Sequence, residues 1–77
     1  RVNAISPAAI ETAMLLAGFD GNENALNELR KIHPVQRIGY PGDVAKLALF
    51  LASESSGFIH GANLSLDGGI SSVLKDL

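Results

Sequence analysis

The sequence predicts an α/β fold in which two short parallel strands are joined by helices. Residues 2–6 and 62–67 are apolar segments bounded by turn residues, and the second alternates apolar and polar side chains, as strands do. The segment between them is too long for a hairpin and contains three predicted helices. A strand, crossover helices and a second strand are typical of one layer of a parallel sheet.

The first predicted strand lies unusually close to the start of the sequence. Only Arg1 precedes residues 2–6, whereas chain ends are usually frayed and exposed unless other contacts hold them. We therefore expect the sequence to begin within a domain. Pro7 interrupts the strand, and residues 12–18 are predicted to form a short helix that ends at Gly18.

A second helix is predicted within residues 20–32, with either Asp20 or Asn22 as its N-cap. The helix is expected to stop at His33, because the proline that follows disfavours helical backbone for the residue before it. Four apolar residues recur at helical spacing and give this helix one buried face. They are Ala25, Leu26, Leu29 and Ile32.

A third helix is predicted to begin at Pro41, whose fixed φ and missing N–H suit the first helical position. Asp43 lies near the positive end of the helix dipole. The helix should run to about Ser53, and Gly57 should close its exit towards the last strand.

This third helix, residues 41–53, is apolar around most of its circumference. On a helical wheel Asp43, Lys46 and Ser53 share one narrow stripe, which also contains Phe50. A helix on one face of a sheet needs only about 100° of apolar surface. A second side must therefore be covered, either inside a larger domain or at a subunit interface, and the candidate interface residues are Leu47, Phe50, Leu51, Leu64 and Leu66.

The composition excludes several classes of site and partner. The sequence has no cysteine, which excludes disulfides and thiolate metal sites and fits a reducing compartment such as the cytoplasm. His33 and His60 have no neighbours at metal-ligand spacing, so no metal site is expected and both are interpreted as surface residues. The net charge of −2 provides no basic stripe for nucleic acid. The apolar run at residues 44–52 is interrupted by Lys46 and is much shorter than the about 20 residues of a membrane span.

Three stretches, in the same order and at the same spacing, resemble the carboxy-terminal third of the short-chain dehydrogenase/reductase family. They are NAISPAAIETAM (residues 3–14), HPVQRIGYPGDVAKLALFLAS (33–53) and GFIHGANLSLDGG (57–69). The resemblance implies the carboxy-terminal part of a doubly wound, Rossmann-type parallel sheet, incomplete as it stands. It also implies NAD or NADP as cofactor, a small alcohol or carbonyl substrate, hydride transfer between them, and a homodimer or homotetramer.

The resemblance further implies which residues lie beside the nicotinamide. Pro7 matches the proline of the family motif, the backbone of Ile10 is expected to meet the carboxamide, and the Thr12 hydroxyl is expected near the carboxamide and pyrophosphate. Ala8 stands where similar sequences usually have glycine, and its Cβ would resist a positive φ. Residues 12–36 correspond to the substrate lid, in which four apolar residues are interpreted equally well as lid or as core: Met14, Leu15, Leu16 and Phe19.

The residues that carry out the family's chemistry are expected upstream of this sequence. These are the phosphate-binding glycine motif, the catalytic Ser and the Tyr-x-x-x-Lys pair. Tyr40 is followed by Val44 at the lysine position, and the glycines of GFIHGAN precede a strand instead of following one. The chain alone is therefore expected to be inactive as an enzyme. The alternative is a truncated, non-enzymatic segment that acts only through an oligomerisation surface.

Other polar residues are given structural interpretations. Arg37 is expected to pair with Asp43 at the start of the third helix in preference to contacting substrate. Gln36 and His60 stand where glycine and threonine are expected from the resemblance, and no function is assigned to them. Asp67 and the two glycines after it are interpreted as a tight turn that leaves the last strand, because one carboxylate provides too few oxygens for calcium.

Overall fold

The structure of the chain, a computed structural model, describes residues 1–72. It contains two strands, three α-helices and two short 3₁₀ turns. The strands are β1 (Ala4–Pro7) and β2 (Asn63–Leu66), the helices are α1 (Ala13–Phe19), α2 (Glu23–Lys31) and α3 (Pro41–Ala52), and the 3₁₀ turns are Glu54–Ser56 and Ile70–Ser72.

The two strands pair in parallel, as the sequence predicts. Ala4 lies opposite Asn63 and Pro7 lies opposite Leu66. Just beyond the strand, the Ala8 N–H donates to the Leu66 carbonyl at 3.1 Å and extends the pairing. Because the strands are parallel, their carboxyl ends lie at the same edge of the sheet, which is where open α/β sheets bind their ligands.

The ends of α1 differ from the prediction. The helix begins after Thr12, and Gly18 lies inside it instead of ending it. Asp20 takes the left-handed conformation (φ 46°) and Gly21 follows with φ 76°, so these two residues reverse the chain. Aspartate tolerates this conformation better than most side chains, which is why a helix can end without glycine at the first left-handed position.

The boundaries of α2 and α3 follow local capping chemistry. Asn22 caps α2, and its side-chain oxygen accepts from the Ala25 N–H at 3.1 Å. The helix ends at Lys31, two residues before the predicted stop. Helix α3 begins at Pro41 as predicted. The expected exit glycine, Gly57, has φ −58° and therefore supplies no left-handed turn.

A carboxylate closes the amino end of α3. The Asp43 Oδ2 accepts from the Tyr40 N–H at 2.8 Å and from Arg37 Nη1 at 2.9 Å, which confirms the predicted pairing of Arg37 with Asp43. The Arg37 guanidinium also lies 4.9 Å from the centre of the Tyr40 ring. The hydrogen bond from Arg37, followed by that from the Tyr40 N–H, lowers the pKa of Asp43 below its usual value.

The carboxyl end of α3 is held by Arg1, a role that sequence analysis missed. The guanidinium donates hydrogen bonds of 3.0 to 3.2 Å to four backbone carbonyls and one hydroxyl, which satisfies carbonyls that a helix end leaves unpaired. Arg1 thereby joins the start of β1 to the end of α3. The acceptors are the carbonyls of Leu51, Ser53, Ser56 and Ile59 and the hydroxyl of Ser56.

The apolar core of the described residues is small. Of their apolar side chains, only Leu26 and Ile38 are buried. The chain forms a slab of 42 × 34 × 15 Å, so its thinnest dimension holds little more than one helix layer on the sheet. A two-stranded sheet with so little core is marginal by itself, and the fold is an incomplete α/β piece.

Gln36 has a left-handed backbone (φ 64°), which explains why glycine is expected there from the resemblance. Its side-chain amide donates to the carbonyls of Lys31 at 3.2 Å and His33 at 3.4 Å, just beyond the end of α2. The glutamine thus forms two hydrogen bonds at a position where a Cβ is unfavourable.

Gln36→Gly and Gln36→Ala should differ in stability by about 1 kcal/mol, with glycine the more stable. Both variants lose the same side-chain hydrogen bonds, but only glycine relieves the strain of the left-handed backbone. Urea unfolding of the full-length protein measures the difference, and equal free energies of unfolding for the two variants would show that the position is unstrained.

The lowered pKa of Asp43 predicts how acid weakens the start of α3. Its contribution to stability is complete above the ordinary Asp pKa of about 3.9 and is lost as the pH falls through the lower folded-state pKa. The wild type should therefore exceed Asp43→Asn in free energy of unfolding near neutral pH, and this difference should shrink in acid. Urea unfolding at a series of pH values measures it, and a difference independent of pH would contradict the assignment.

Candidate cofactor-binding site

The main cleft of the described residues lies at the carboxyl ends of β1 and β2. One side of it is formed by residues 33–39, here called the connector, which joins α2 to α3. The cleft has a volume of ≈ 360 Å³. It is lined by the residues that follow both strands, by the connector and by the first turns of α3: Ala9, Ile10, His33, Val35, Arg37, Gly39, Asp43, Lys46, Leu66, Asp67 and Gly68.

The connector pairs with the chain just after β1. The Gly39 N–H donates to the Ala9 carbonyl at 2.9 Å, and the Glu11 N–H donates to the Gly39 carbonyl at 2.7 Å. This is an isolated parallel bridge between Gly39 and Ile10. In such a bridge the N–H and C=O of Ile10 point away from Gly39, because the residues on either side of Ile10 make both hydrogen bonds.

The backbone of Ile10 is therefore presented on the side opposite the connector. Its carbonyl accepts from the Thr12 N–H at 2.8 Å. Its own N–H has no backbone partner within residues 1–72. A free backbone donor after the carboxyl end of a parallel strand is able to bind an acceptor of a ligand.

Thr12 has a local structural role. Its Oγ1 accepts from the Leu15 N–H at 3.2 Å and caps α1. Because this bond uses a lone pair of the hydroxyl, the hydrogen of the hydroxyl is still able to donate. The Thr12 side chain is exposed at the start of the predicted lid.

Pro7 and Ala8 are exposed at the end of β1. Within residues 1–72, the only residues other than glycine with positive φ are Asp20 and Gln36, so Ala8 is not in the left-handed region. The alanine thus fits this backbone without the strain that its Cβ would cause at a positive φ.

The chain after β2 turns sharply, as predicted. The Asp67 carboxylate accepts from the N–H of Gly69 at 3.0 Å and from the N–H and hydroxyl of Ser71. The hydroxyl of Ser71, more than the backbone donors, lowers the pKa of Asp67. Gly68 and Gly69 have φ values of 59° and 90°, which favour glycine.

The connector also packs on this turn. The Val35 N–H donates to the Gly68 carbonyl at 3.2 Å. A Cβ on Gly68 would lie 2.7 Å from Val35 Cγ2, and one on Gly69 would lie 3.1 Å from Pro34 Cγ. Glycine at both positions therefore suits the close packing as well as the backbone conformation.

The interpretation of His33 as a surface residue is wrong. The side chain is only 2% exposed, and its Nδ1 is 2.7 Å from the Leu29 carbonyl, so Nδ1 is the protonated donor. Its Nε2 has no hydrogen-bond partner within the described part of the chain. His60 is exposed, and its Nδ1 accepts from the Val2 N–H at 3.1 Å.

The four predicted lid residues divide between two environments. Met14 is 86% exposed and Leu16 is also exposed, whereas Leu15 and Phe19 are half-buried. A second cleft of ≈ 220 Å³ lies between α1 and α2 and is lined in part by Leu16 and Phe19.

The predicted interface residues are not equally accessible. Phe50 is 42% exposed, but the other four are half-buried within the chain: Leu47, Leu51, Leu64 and Leu66. Leu47 and Leu51 lie four residues apart on one face of α3, and this face is turned towards the rest of the chain. Sequence analysis missed Leu49, which is 73% exposed, and Phe58, which is fully exposed.

Residues 1–72 contain neither a metal-binding cluster nor a membrane-spanning helix. No three of the His, Asp and Glu side chains there are grouped so that they could hold a metal ion. None of the helices in this part of the chain is long and apolar enough to cross a membrane.

Comparison with known proteins gives consistent matches along the chain. The profile of the family described as enoyl-(acyl carrier protein) reductase matches residues 1–71. The 3-oxoacyl-[acyl-carrier-protein] reductase FabG of Chlamydia trachomatis is 47% identical over 70 residues, which are 91% of this chain and 27% of that protein. D-threitol dehydrogenase of Mycolicibacterium smegmatis is 41% identical over 69 residues, which are 90% of this chain and 26% of that protein.

Solved structures of other proteins also superpose on most of this chain. Ligand-free aldohexose dehydrogenase of Thermoplasma acidophilum superposes with a TM-score of 0.88 at 36% identity, covering 100% of this chain and 33% of that one. ElxO with NADP bound has a TM-score of 0.82 at 41% identity, covering 95% of this chain and 29% of that one. The chain spans about a quarter to a third of the length of these proteins. The chain belongs to the short-chain dehydrogenase/reductase family.

Proposed function

We propose that this chain is the carboxy-terminal part of an NAD(P)-dependent oxidoreductase that transfers a hydride between a nicotinamide cofactor and a carbonyl or secondary alcohol. The observation that carries this proposal is the N–H of Ile10, which has no backbone partner within residues 1–72 and points away from the connector just after the carboxyl end of β1. Ligands of open α/β sheets bind at this edge. In this proposal, residues 1–77 are one segment of a single Rossmann-type domain.

The residues around Ile10 fit a nicotinamide carboxamide. The amide group of that ring has a carbonyl oxygen that accepts up to two hydrogen bonds and an NH₂ that donates two. The Ile10 N–H is a free donor, and the Thr12 hydroxyl keeps a hydrogen to donate while it caps α1. The exposed Pro7 and Ala8 carry no polar side chain that would compete for the ring.

The cofactor, when bound, supplies the hydride chemistry. The part of this chain is to bind and orient the nicotinamide through the Ile10 backbone and the Thr12 hydroxyl. The proton donor and the phosphate-binding loop are assigned to sequence upstream of Arg1, because Tyr-x-x-x-Lys and the glycine motif do not occur in these 77 residues. In this assignment no catalytic residue lies in the chain itself.

Residues 12–36 are proposed to form the substrate lid. They include α1 and α2, which are separate from the sheet and carry the exposed Met14 and Leu16. Two residues apart, these side chains lie on opposite sides of α1: Leu16 lines the second cleft, and Met14 is proposed to offer an apolar surface to a substrate. The relatives are named for substrates as different as a 3-oxoacyl group on acyl carrier protein and D-threitol, so we propose only the class of small alcohols and carbonyls.

The full-length protein should oxidise or reduce such substrates with NAD or NADP, whereas purified residues 1–77 should not. The expected difference follows from the upstream position of the proton donor. The change in nicotinamide absorbance measures turnover, and calorimetry measures binding of the dinucleotide.

Two results would contradict the proposal. Turnover by the isolated chain would show that no upstream residue is needed. A full-length protein that binds neither dinucleotide, and whose upstream sequence lacks the glycine motif, would favour a non-enzymatic segment that acts through oligomerisation.

A reducing compartment such as the cytoplasm suits either case, because the chain has no cysteine to pair.

Helix α3 and β2 are proposed to form a subunit interface of a homodimer or homotetramer. Support comes from two neighbouring apolar side chains of α3, Leu49 and Phe50, which are exposed. In a two-fold interface the same surface occurs on both partners, so one substitution acts twice.

Phe50→Glu should dissociate the oligomer, because the interface would bury an unpaired carboxylate on each side at a cost of several kcal/mol. Light scattering coupled to size-exclusion chromatography measures the mass. Met14→Glu is the matched control, since Met14 is an exposed apolar residue on α1, away from α3, and its change should leave the mass unaltered. A wild type that is already monomeric, or an unchanged mass for Phe50→Glu, would remove the interface proposal.

A further inference from the structure

We propose that Gly39 is a positioning residue for the cofactor: its bridge to the chain after β1 determines where the Ile10 N–H points. This inference rests on the proposed function, because it concerns the same nicotinamide contact. In this proposal Gly39 is assigned no direct contact with the cofactor and acts through Ile10.

The two hydrogen bonds of the bridge hold the residues on both sides of Ile10. Gly39 donates to the Ala9 carbonyl at 2.9 Å and accepts from the Glu11 N–H at 2.7 Å. Because both neighbours are held, the peptide groups of Ile10 cannot rotate independently. The direction of the free Ile10 N–H is therefore set by the position of Gly39.

The connector around Gly39 is itself firmly held. The buried Ile38 precedes Gly39 and is only 2% exposed, and its carbonyl accepts from Arg37 Nη1 at 3.0 Å. Tyr40 follows Gly39 and donates its N–H to Asp43 at 2.8 Å. Gly39 thus lies between two residues that are held by hydrogen bonds. A shift of the amino end of α3 would therefore move Gly39 and, through the bridge, Ile10.

Glycine at this position also avoids a close contact with the end of the Ile10 side chain. A Cβ on Gly39 would lie 2.6 Å from Ile10 Cδ1, which is too close for two carbon atoms. It would be 3.6 Å from the Ala9 carbonyl oxygen and 3.8 Å from Asp43 Oδ2, which are ordinary contacts. The φ of Gly39 is not in the positive range, so alanine fits the backbone and the collision is with Ile10 alone.

The first test is Gly39→Ala in the full-length protein, with Gly42→Ala as the matched control. Gly42 is three residues away, and a Cβ there meets nothing within 4 Å. Gly39→Ala should raise the dissociation constant for NAD or NADP about two- to tenfold, as expected when one hydrogen bond is weakened or lost. Gly42→Ala should leave it unchanged. Calorimetric titration measures both, without any need for turnover.

The second test is rescue by a smaller side chain at position 10. Valine lacks the Cδ1 that the new Cβ meets, so Gly39→Ala combined with Ile10→Val should bind the dinucleotide nearly as tightly as Ile10→Val alone. Amide hydrogen exchange in the cofactor-free protein supplies a separate readout. Gly39→Ala should speed exchange at Glu11, whose N–H bonds to Gly39, and should leave exchange within α3 unchanged.

The outcomes separate this inference from the proposed function. If the wild type binds neither NAD nor NADP, the proposed function fails and the positioning role fails with it. If the wild type binds but Gly39→Ala matches Gly42→Ala in affinity, or if Ile10→Val does not rescue it, only the positioning role is overturned. A variant that exchanges faster throughout α3 would also overturn it, because Gly39 would then support the fold generally.

Discussion

The rest of the structure depends on the passage of the connector, residues 33–39, across the carboxyl ends of both strands. At β1 it pairs through Gly39, and at β2 it pairs through the Val35 N–H and the Gly68 carbonyl. Glycine suits both contacts, since a Cβ would lie 2.6 Å from Ile10 Cδ1 at Gly39 and 2.7 Å from Val35 Cγ2 at Gly68. One segment therefore fixes the two strand ends relative to each other, and with them the walls of the main cleft.

Polar contacts to backbone groups, more than an apolar core, hold α3 against the strands in the described residues. Asp43 closes its amino end through the connector, and Arg1 binds the carbonyls at its carboxyl end. Charged groups at both helix ends also complement the helix dipole. Because the contacts lie at the ends, the sides of α3 that carry Leu49 and Phe50 are left exposed. The proposed subunit interface uses these sides.

Local patterns in the sequence predicted the order of the elements, Asn22 as one of two candidate caps of α2, and the start of α3 at Pro41. These features depend on neighbouring residues, which a sequence displays directly. The parallel pairing of the strands was inferred from the length of the segment between them. The burial of His33 and the bridge at Gly39 could not be predicted, because each depends on a contact with residues distant in sequence. The predicted end of α1 was wrong because Asp20, and not a glycine, takes the left-handed position. The candidate cofactor residues came from the family resemblance, since no local pattern marks a free backbone N–H.

The bridge at Gly39 and the contact at Gly68 also bracket α1 and α2 within one closed loop. The chain enters this loop just after Glu11 and leaves it just before Val35, and both of these residues are hydrogen-bonded to the strand-end framework. The entropy of closing such a loop grows slowly, by about 0.6 kcal/mol for each doubling of its length. Changes in the length of this loop therefore cost little closure entropy, although α2 contributes the buried Leu26 to the core. Under the proposed lid assignment, changes in this loop would alter the substrate surface while the hydrogen-bonded geometry beneath it stays constant.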